Sequence, residues 1–389
     1  MFKAILGHSD DPDSEGAVEE IIEQCKRDLG EKKPKAGLLF SAIDYSFQTL
    51  LDGFNDEWPD IELIGCTTDG EISSRMGFCE DSCVLMLFCS DTIDIYAGIG
   101  KNLSTDINKA TADAVEMAKA KSTNHPALCI TIPDGLTCSG QVVVEGLVSK
   151  LGADVPLIGG TAGDQLNFEK TFQFFGREVL HDSVPILVFS GPLQVSFSLG
   201  MGCKPIGGEG VVTKSSGTLL QEIDSKPAKS FYQQSLGEDT SLSVEIPLAV
   251  LNEDGEIDYL RTPSAQFDEK TGEVQMFADT HVGSHVKMVM LDRDNLVDSC
   301  EDSAAVAKEH LLETTTPDVI LHFSCCGRKV LLGSRTQEEH EKVLSALDTD
   351  IPSVGFYTYG EICPSVDQSL GARFHNHTSV VALLGEIND

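Results

Sequence analysis

The sequence predicts an α/β protein made of repeated β-α-β-α-β-turn-β units with mixed, mainly parallel sheets. Three observations carry this. A short pattern of Gly, a spacer, Thr, one residue, Gly and an acid occurs three times, as IGCTTDGE (Ile64–Glu71), IGGTAGD (Ile158–Asp164) and VGFYTYGE (Val354–Glu361). Similar flanks accompany each copy, with PDIEL, ADVPL and TDIPS before and the apolar runs VLMLF, PILVF and SVVALL after. Apolar strands also alternate with helix-length amphipathic segments, which implies crossover connections between parallel strands.

In the first repeat, Phe2–Leu6 reads as a strand and Ser14–Leu29 as a helix, with Ala17, Ile21, Cys25 and Leu29 on one face and Gly30 as its stop. A strand at Gly37–Phe40 and a short helix (Phe47, Leu50, Leu51, Phe54) follow. Next come a strand into Gly65, the turn, and a strand at Val84–Phe88. The second repeat gives a strand Ile93–Ala97, a helix Asp106–Lys121, a strand Ala127–Ile132 and a helix Gln141–Leu151 stopped by Gly152. A strand into Gly159, the turn and Ile186–Phe189 complete it. The third reads Val286–Leu291 as its first strand, then a helix about Ser303–Leu312 and a strand Val319–Phe323. Its second helix opens on a capping box from Thr336 to Glu339 and carries Val343, Leu344 and Leu347. The strand into Gly355, the turn and Val380–Leu384 end it. In each repeat the last strand, reached by a tight turn, is expected to run antiparallel.

Gly200–His285 interrupts the pattern. It offers a hairpin (Val211–Lys214, Leu219–Ile223), a short helix (Ala228–Leu236) and a second hairpin around Asp254-Gly255. Two domains are therefore expected, 1–209 with the first two repeats and 210–389 with the β-rich segment and the third.

Length and composition agree with that size. The chain has 389 residues, 41% hydrophobic and 23% charged, enough for a large core. Its 28 Lys and Arg against 62 Asp and Glu give 28 − 62 = −34. A surface this acidic repels phosphate backbones and anionic lipids, so neither nucleic acid nor a membrane is an expected partner. No run of eighteen apolar residues and no leader pattern is present, and the 12 Cys, several inside apolar runs, read as reduced thiols. A cytoplasmic protein is expected. No two Cys are spaced C-x-x-C, which disfavours zinc ribbons, iron–sulfur clusters and covalent haem attachment.

The repeated turn has a structural reading: its glycines permit close backbone approach, and Thr and the acid can bond free backbone N–H groups. A functional reading needs one copy converted to a site. The third is the candidate, because it alone puts aromatics in the turn, Phe356, Tyr357 and Tyr359. The loop HFSCCGR brings Ser324, Cys325, Cys326 and Arg328 to a strand end, where Arg328 could hold a carboxylate. Near the last strand, Arg373-Phe374-His375-Asn376-His377-Thr378 adds two histidines, and His281 and His285 make another pair. Each has a bland reading as a turn residue. The motifs GxxxxGK[ST], GxGxxG after a strand, GxSxG and HExxH are absent, so nothing assembles a nucleophile, a base and an orienter.

The chain resembles the FIST family of sensory signal-transduction proteins. PDGL (Pro133–Leu136) and LIGGTAGD resemble the FIST N module, and FSCCGR, GFYTYGEI and FHNHT the FIST C module. The resemblance implies a non-enzymatic sensor of a small ligand that regulates a separate histidine kinase or cyclic-di-GMP enzyme. It also leaves self-association into a homo-oligomer open. Ser324, Cys325, Arg328, Tyr357, Tyr359, Glu361 and Asn376 are the ligand-binding candidates. The family's nitric-oxide-sensing branch implies haem b, with His375 as first candidate ligand, then His377 and His281, and Arg328 or Arg373 near a propionate. Without haem, an amino-acid ligand would place Arg328 on its carboxylate and Glu361 on its ammonium. A thiol-dependent enzyme using Cys325 and an interaction scaffold are the competing classes.

Overall fold

A computed structural model describes residues 2–239, 241–365 and 371–387. Each repeat forms one sheet in which the first three strands run in the same direction. The last strand inserts, antiparallel, between the first and the second. In repeat one the order is Lys3–Ser9, Cys83–Cys89, Ala36–Ser41, Glu62–Thr67. In repeat two it is Asp94–Lys101, Ser183–Ser190, Pro126–Thr131, Leu157–Gly160. In repeat three it is Leu193–Gly200, Ser379–Glu386, Val319–Cys325, Ser353–Thr358. Only the second and third strands of each pair in parallel with each other.

The first glycine of the motif lies on that parallel pair. A Cβ on Gly65, Gly159 or Gly355 would sit 2.0, 2.0 or 1.6 Å from the carbonyl oxygen of Leu39, Thr131 or His322 on the neighbouring strand. Any side chain there would push the two strands apart.

The sheets are joined in a ring. After the motif, each repeat sends a two-stranded arm to the open edge of another repeat's sheet. Glu71–Ser73 and Gly77–Cys79 extend the sheet of repeat three, Gln173–Phe175 and Glu178–Leu180 that of repeat one, and Glu361–Pro364 and Ala372–His375 that of repeat two. Each sheet thus gains two strands and becomes six-stranded, and the edge beside each motif strand is covered.

The inner faces of the three sheets share one apolar core. Phe40, Phe323 and Phe356 from repeats one and three meet there, with Phe40 and Phe356 rings 4.5 Å apart, and Phe2, Phe88 and Phe189 form a second aromatic cluster. Each fully buried Phe contributes roughly 1.5–3 kcal/mol. The helices lie on the outer faces over separate clusters, as Ala17, Ile21, Cys25 and Leu29 of the helix Ser14–Leu29 do.

The strand that opens repeat three is Leu193–Gly200, not Val286–Leu291. It pairs along its full length with Ser379–Glu386. The segment His285–Leu291 instead pairs with Cys203–Ser216 in a seven-stranded sheet built by the inserted residues. Both segments are apolar and strand-like, so only the pairing partner distinguishes them. Position 209/210 falls inside the strand Cys203–Ser216. The insert has its own core, including Phe231, Tyr232, Tyr259 and Met288. It rejoins the repeat at the helix Arg293–Leu312, capped by Asp292.

The capping box is also absent. Thr336 is helical and its hydroxyl donates to the Gly333 carbonyl, while Glu339 is drawn into a buried network described below. Among the described residues no helix is long and apolar enough to cross a membrane.

Candidate functional site

The three motif turns meet where the carboxyl ends of the parallel strands converge. The Asp69 N–H donates to the Tyr357 carbonyl at 3.0 Å and the Tyr357 N–H to the Gly70 carbonyl at 2.9 Å. Thr161 N–H reaches the Gly360 carbonyl and Gly163 N–H the Thr67 carbonyl, both at 2.9 Å. The Thr358 hydroxyl donates to the Thr161 carbonyl at 2.7 Å. The repeated motif therefore knits the ring closed.

Its acids hold backbone and hydroxyl groups. Glu71 accepts from the Ser82 N–H and hydroxyl and from Thr68, and Glu361 from the Thr378 N–H and hydroxyl. Burial pushes the carboxyls of Glu71 and Glu361 above the usual carboxylate range. Asp164 differs. It accepts the N–H groups of Phe168, Glu169 and Lys170 and the phenol of Tyr359. Burial pushes Asp164 up, but these bonds outweigh it and hold the carboxyl below its usual range.

Beside this junction lies a cleft of about 840 Å³, bounded by repeat two, repeat three and the insert. One wall is a ring stack. Tyr359 and Phe168 are 4.8 Å apart and 13° from parallel, and Phe277 of the insert stacks beyond Phe168 at 6.4 Å. Phe168 is 49% and Phe277 47% exposed, though both are large apolar rings. Phe168 has φ 53°, and Gln165 and Leu166 just before it are also at positive φ, a costly backbone held by the bonds to Asp164 and by the Leu166 N–H to Asp69.

Four polar atoms of the lining are buried without a partner: Thr161 Oγ1, Thr262 Oγ1, Asn376 Oδ1 and His377 Nδ1. The Asn376 amide nitrogen already donates to the His375 carbonyl, so the free atom is its oxygen. Burial, with Arg328 nearby, lowers His377 to about 3 and keeps its imidazole neutral. Among the described residues the lining contains no Lys or Arg and one acid, Asp279, which accepts from Ser139 at 2.6 Å. Unpartnered groups buried in a cleft are what a polar ligand would satisfy.

The sequence-predicted residues divide into two sets. Cys325, Tyr359, Asn376 and His377 line the cleft. Ser324, Arg328 and Tyr357 do not. They converge behind it on Glu339, whose carboxylate accepts Ser324 Oγ at 2.7 Å, Tyr357 Oη at 2.8 Å and Arg328 Nε at 2.7 Å. The Arg328 guanidinium also donates to the carbonyls of Gly200, Leu296 and His377. It is fully buried, so the expected role on a ligand carboxylate gives way to one as a clamp behind His377. Glu361 is fully buried beneath Thr378 rather than exposed to a ligand ammonium. His375 is fully buried, with Nε2 on the Cys363 carbonyl, and His281 lies exposed in the insert. Arg373 lies by Asp258.

Cys325 and Cys326 both line the cleft. The Cys326 thiol and the N–H groups of His377 and Gly327 pull the Cys325 thiol below the usual thiol range, while Cys326 is pushed above it. Among the described residues no group of three or more His, Cys, Asp or Glu is placed to hold a metal ion. Phe168, Phe277, Thr161, Thr262 and Asp164 escaped the site prediction. Asp164 and Thr161 stood in the motif, but Phe277 and Thr262 carry no local signal.

The chain is 25% identical to an uncharacterized protein of Methanocaldococcus jannaschii, over 95% of this chain and 76% of that one. It is 22% identical to an uncharacterized protein of Mycobacterium tuberculosis, over 97% and 98%. Among solved structures, a cyanuric acid hydrolase from A. caulinodans aligns over 100% of both chains with 10% identity and a TM-score of 0.35. Thermotoga maritima PurL, complexed with ATP, aligns over 100% of this chain and 72% of that one, with 11% identity and a TM-score of 0.22. Both scores are too low to carry an argument. The FIST N domain matches residues 35–226 and the FIST C domain residues 228–364. The chain belongs to the FIST family of sensory signalling proteins.

Proposed function

We propose that the cleft between repeat two, repeat three and the insert is the sensory site, and that a small molecule bound there changes how the protein acts on a separate signalling enzyme. The supporting observation is the set of four buried, unpartnered polar atoms lining an aromatic-walled cleft. Leaving such an atom unpaired costs roughly 1–3 kcal/mol, which a complementary ligand recovers. Because the cleft touches two repeats of the ring and the insert, occupancy can favour one arrangement of those parts over another, and a partner can read the shift. The partner in this reading is a histidine kinase or a cyclic-di-GMP enzyme.

Haem b is the cofactor that the nitric-oxide-sensing branch of the family implies. Of the three candidate histidines, His377 alone lines the cleft, and its neutral ring keeps Nδ1 unpartnered. The two propionates, however, meet no Lys or Arg in the lining. The lining offers one imidazole nitrogen that could hold the iron and nothing to hold the propionates, so it does not fit the whole group. An amino-acid carboxylate meets the same lack, since Arg328 is bound to Glu339.

The test is ligand-dependent control of a cognate kinase's autophosphorylation, with wild type and Asn376→Ala compared. A small molecule that shifts kinase activity through the wild type and not through the variant supports the reading. Identical control by the variant removes the cleft as the sensory site. Haemin titration, followed in the visible spectrum with His377→Ala as control, decides the nitric-oxide reading separately.

A further inference from the structure

We infer that the ligand of this cleft is a planar nitrogen heterocycle, neutral or cationic, that packs against the Tyr359–Phe168–Phe277 stack and donates an N–H to Asn376 Oδ1. The inference rests on the cleft being the ligand site and specifies its chemistry.

The wall selects for flat rings. Three aromatic rings in near-parallel array offer π faces and edges, and two of them remain about half exposed. Offset stacking adds about 0.5–1.5 kcal/mol beyond apolar burial, and a cationic ring gains further from the quadrupole. The rings come from repeat two, repeat three and the insert, so a flat ligand lying against them bridges all three.

The polar atoms select for donors. Asn376 Oδ1, a carbonyl oxygen, can only accept, and the amide nitrogen beside it donates to the His375 carbonyl. The hydroxyls of Thr161 and Thr262 can donate or accept, and the neutral His377 ring can do either at Nδ1. Together they offer one acceptor and three groups of either role, which the N–H, ring nitrogen and carbonyl groups of a heterocycle can use. A purely apolar ring would leave Asn376 Oδ1 buried and unpaired, and a site of that kind rejects it strongly.

The charges select against anions. No Lys or Arg lines the cleft, and the chain carries a net charge of −34. A carboxylate or phosphate taken into it would lose its hydration without an ion-pair partner.

The experiment measures binding of lumichrome and adenine as neutral probes, and of FMN, glutamate and haemin as anionic ones. Fluorescence and calorimetry serve as readouts on the full chain. The expected result is binding of a neutral probe, weakened about tenfold or more by Asn376→Ala and by Phe277→Ser, at unchanged melting temperature. Asn376→Asp, which keeps an acceptor, retains that binding, an outcome a merely structural asparagine would not give. If instead an anionic probe binds with the same dependence on Asn376 and Phe277, the ligand class is overturned and the cleft assignment stands. If no probe binds, or binding ignores both substitutions, the cleft assignment falls and this inference with it.

Discussion

The guanidinium of Arg328 and the carboxylate of Glu339 meet at 2.7 Å with both side chains fully buried. The pair joins the short helix Cys326–Leu332, which follows a parallel strand, to the helix Gln337–Leu347, and it fixes the carbonyl of His377 at the cleft. Removing one partner strands the other charge. Arg328→Ala is expected to cost about 3–5 kcal/mol in chemical denaturation. The double variant Arg328→Met, Glu339→Leu should cost less than the two single changes summed. Strict additivity would mean that the two groups are not coupled.

Asp164 organises the ring stack through three backbone N–H bonds and the Tyr359 phenol. Asp164→Ala should leave the three sheets intact while freeing the segment that carries Phe168. Amide exchange across residues 165–170 is expected to speed up by about tenfold or more, with little change in the sheet strands. Uniform acceleration along the chain would show that Asp164 supports the whole ring rather than the stack.

Gly355 has no room for a methyl group. Its Cβ would lie 1.6 Å from the His322 carbonyl oxygen, on a pair of strands buried on both faces. Gly355→Ala should destabilise by about 3 kcal/mol or prevent folding. By contrast Gly77→Ala, where nothing lies within 4 Å but φ is 74°, should cost only about 1 kcal/mol. Soluble expression and melting temperature separate the two.

Glu71 gives a pH dependence with a definite sign. Burial raises its carboxyl from 4.5 to about 8. Between those values the folded protein keeps a proton that the unfolded chain has lost. This contribution is complete below the lower value and fades as pH rises to the upper one, by about 5 kcal/mol at full linkage. Urea midpoints should therefore fall from pH 5 to pH 8 in the wild type and stay flatter in Glu71→Gln. Parallel curves for the two proteins would reject Glu71 as the source.

Cys325 decides whether thiol chemistry belongs to the site. Hydrogen bonds from Cys326, His377 and Gly327 favour its thiolate, whereas burial raises Cys25, Cys66, Cys83, Cys129 and Cys363. Iodoacetamide labelling read by peptide mass spectrometry at neutral pH should modify Cys325 ahead of these five. Equal, slow labelling of all would remove the basis for a thiol-dependent enzyme.

Much of the fold was legible because it is periodic. The three Gly–Thr–Gly–acid turns and their flanks located the helices and the four main sheet strands of repeats one and two, though not the arms, since local pattern decides those elements. The first strand of repeat three was misplaced because Leu193–Gly200 and Val286–Leu291 are both apolar runs, and pairing with Ser379–Glu386 is set by contacts far away in sequence. The exchange of arms between repeats has no local signature either. Four of the ten site candidates line the cleft: Cys325, Asn376 and His377 lie at or just after strand ends of the third repeat, and Tyr359 sits in its motif turn.

By itself the sequence determined the repeated unit, the antiparallel last strand of each copy, the inserted β-rich segment and the family. These follow from hydrophobic period, glycine placement and turn chemistry, all read within a few residues. Tertiary structure alone decided that Arg328, a plausible anion clamp, is bound to Glu339, and that Phe277 and Thr262 of the insert line one cleft with Tyr359 and His377. Burial and partner choice depend on which distant surfaces meet, and no local pattern encodes that meeting.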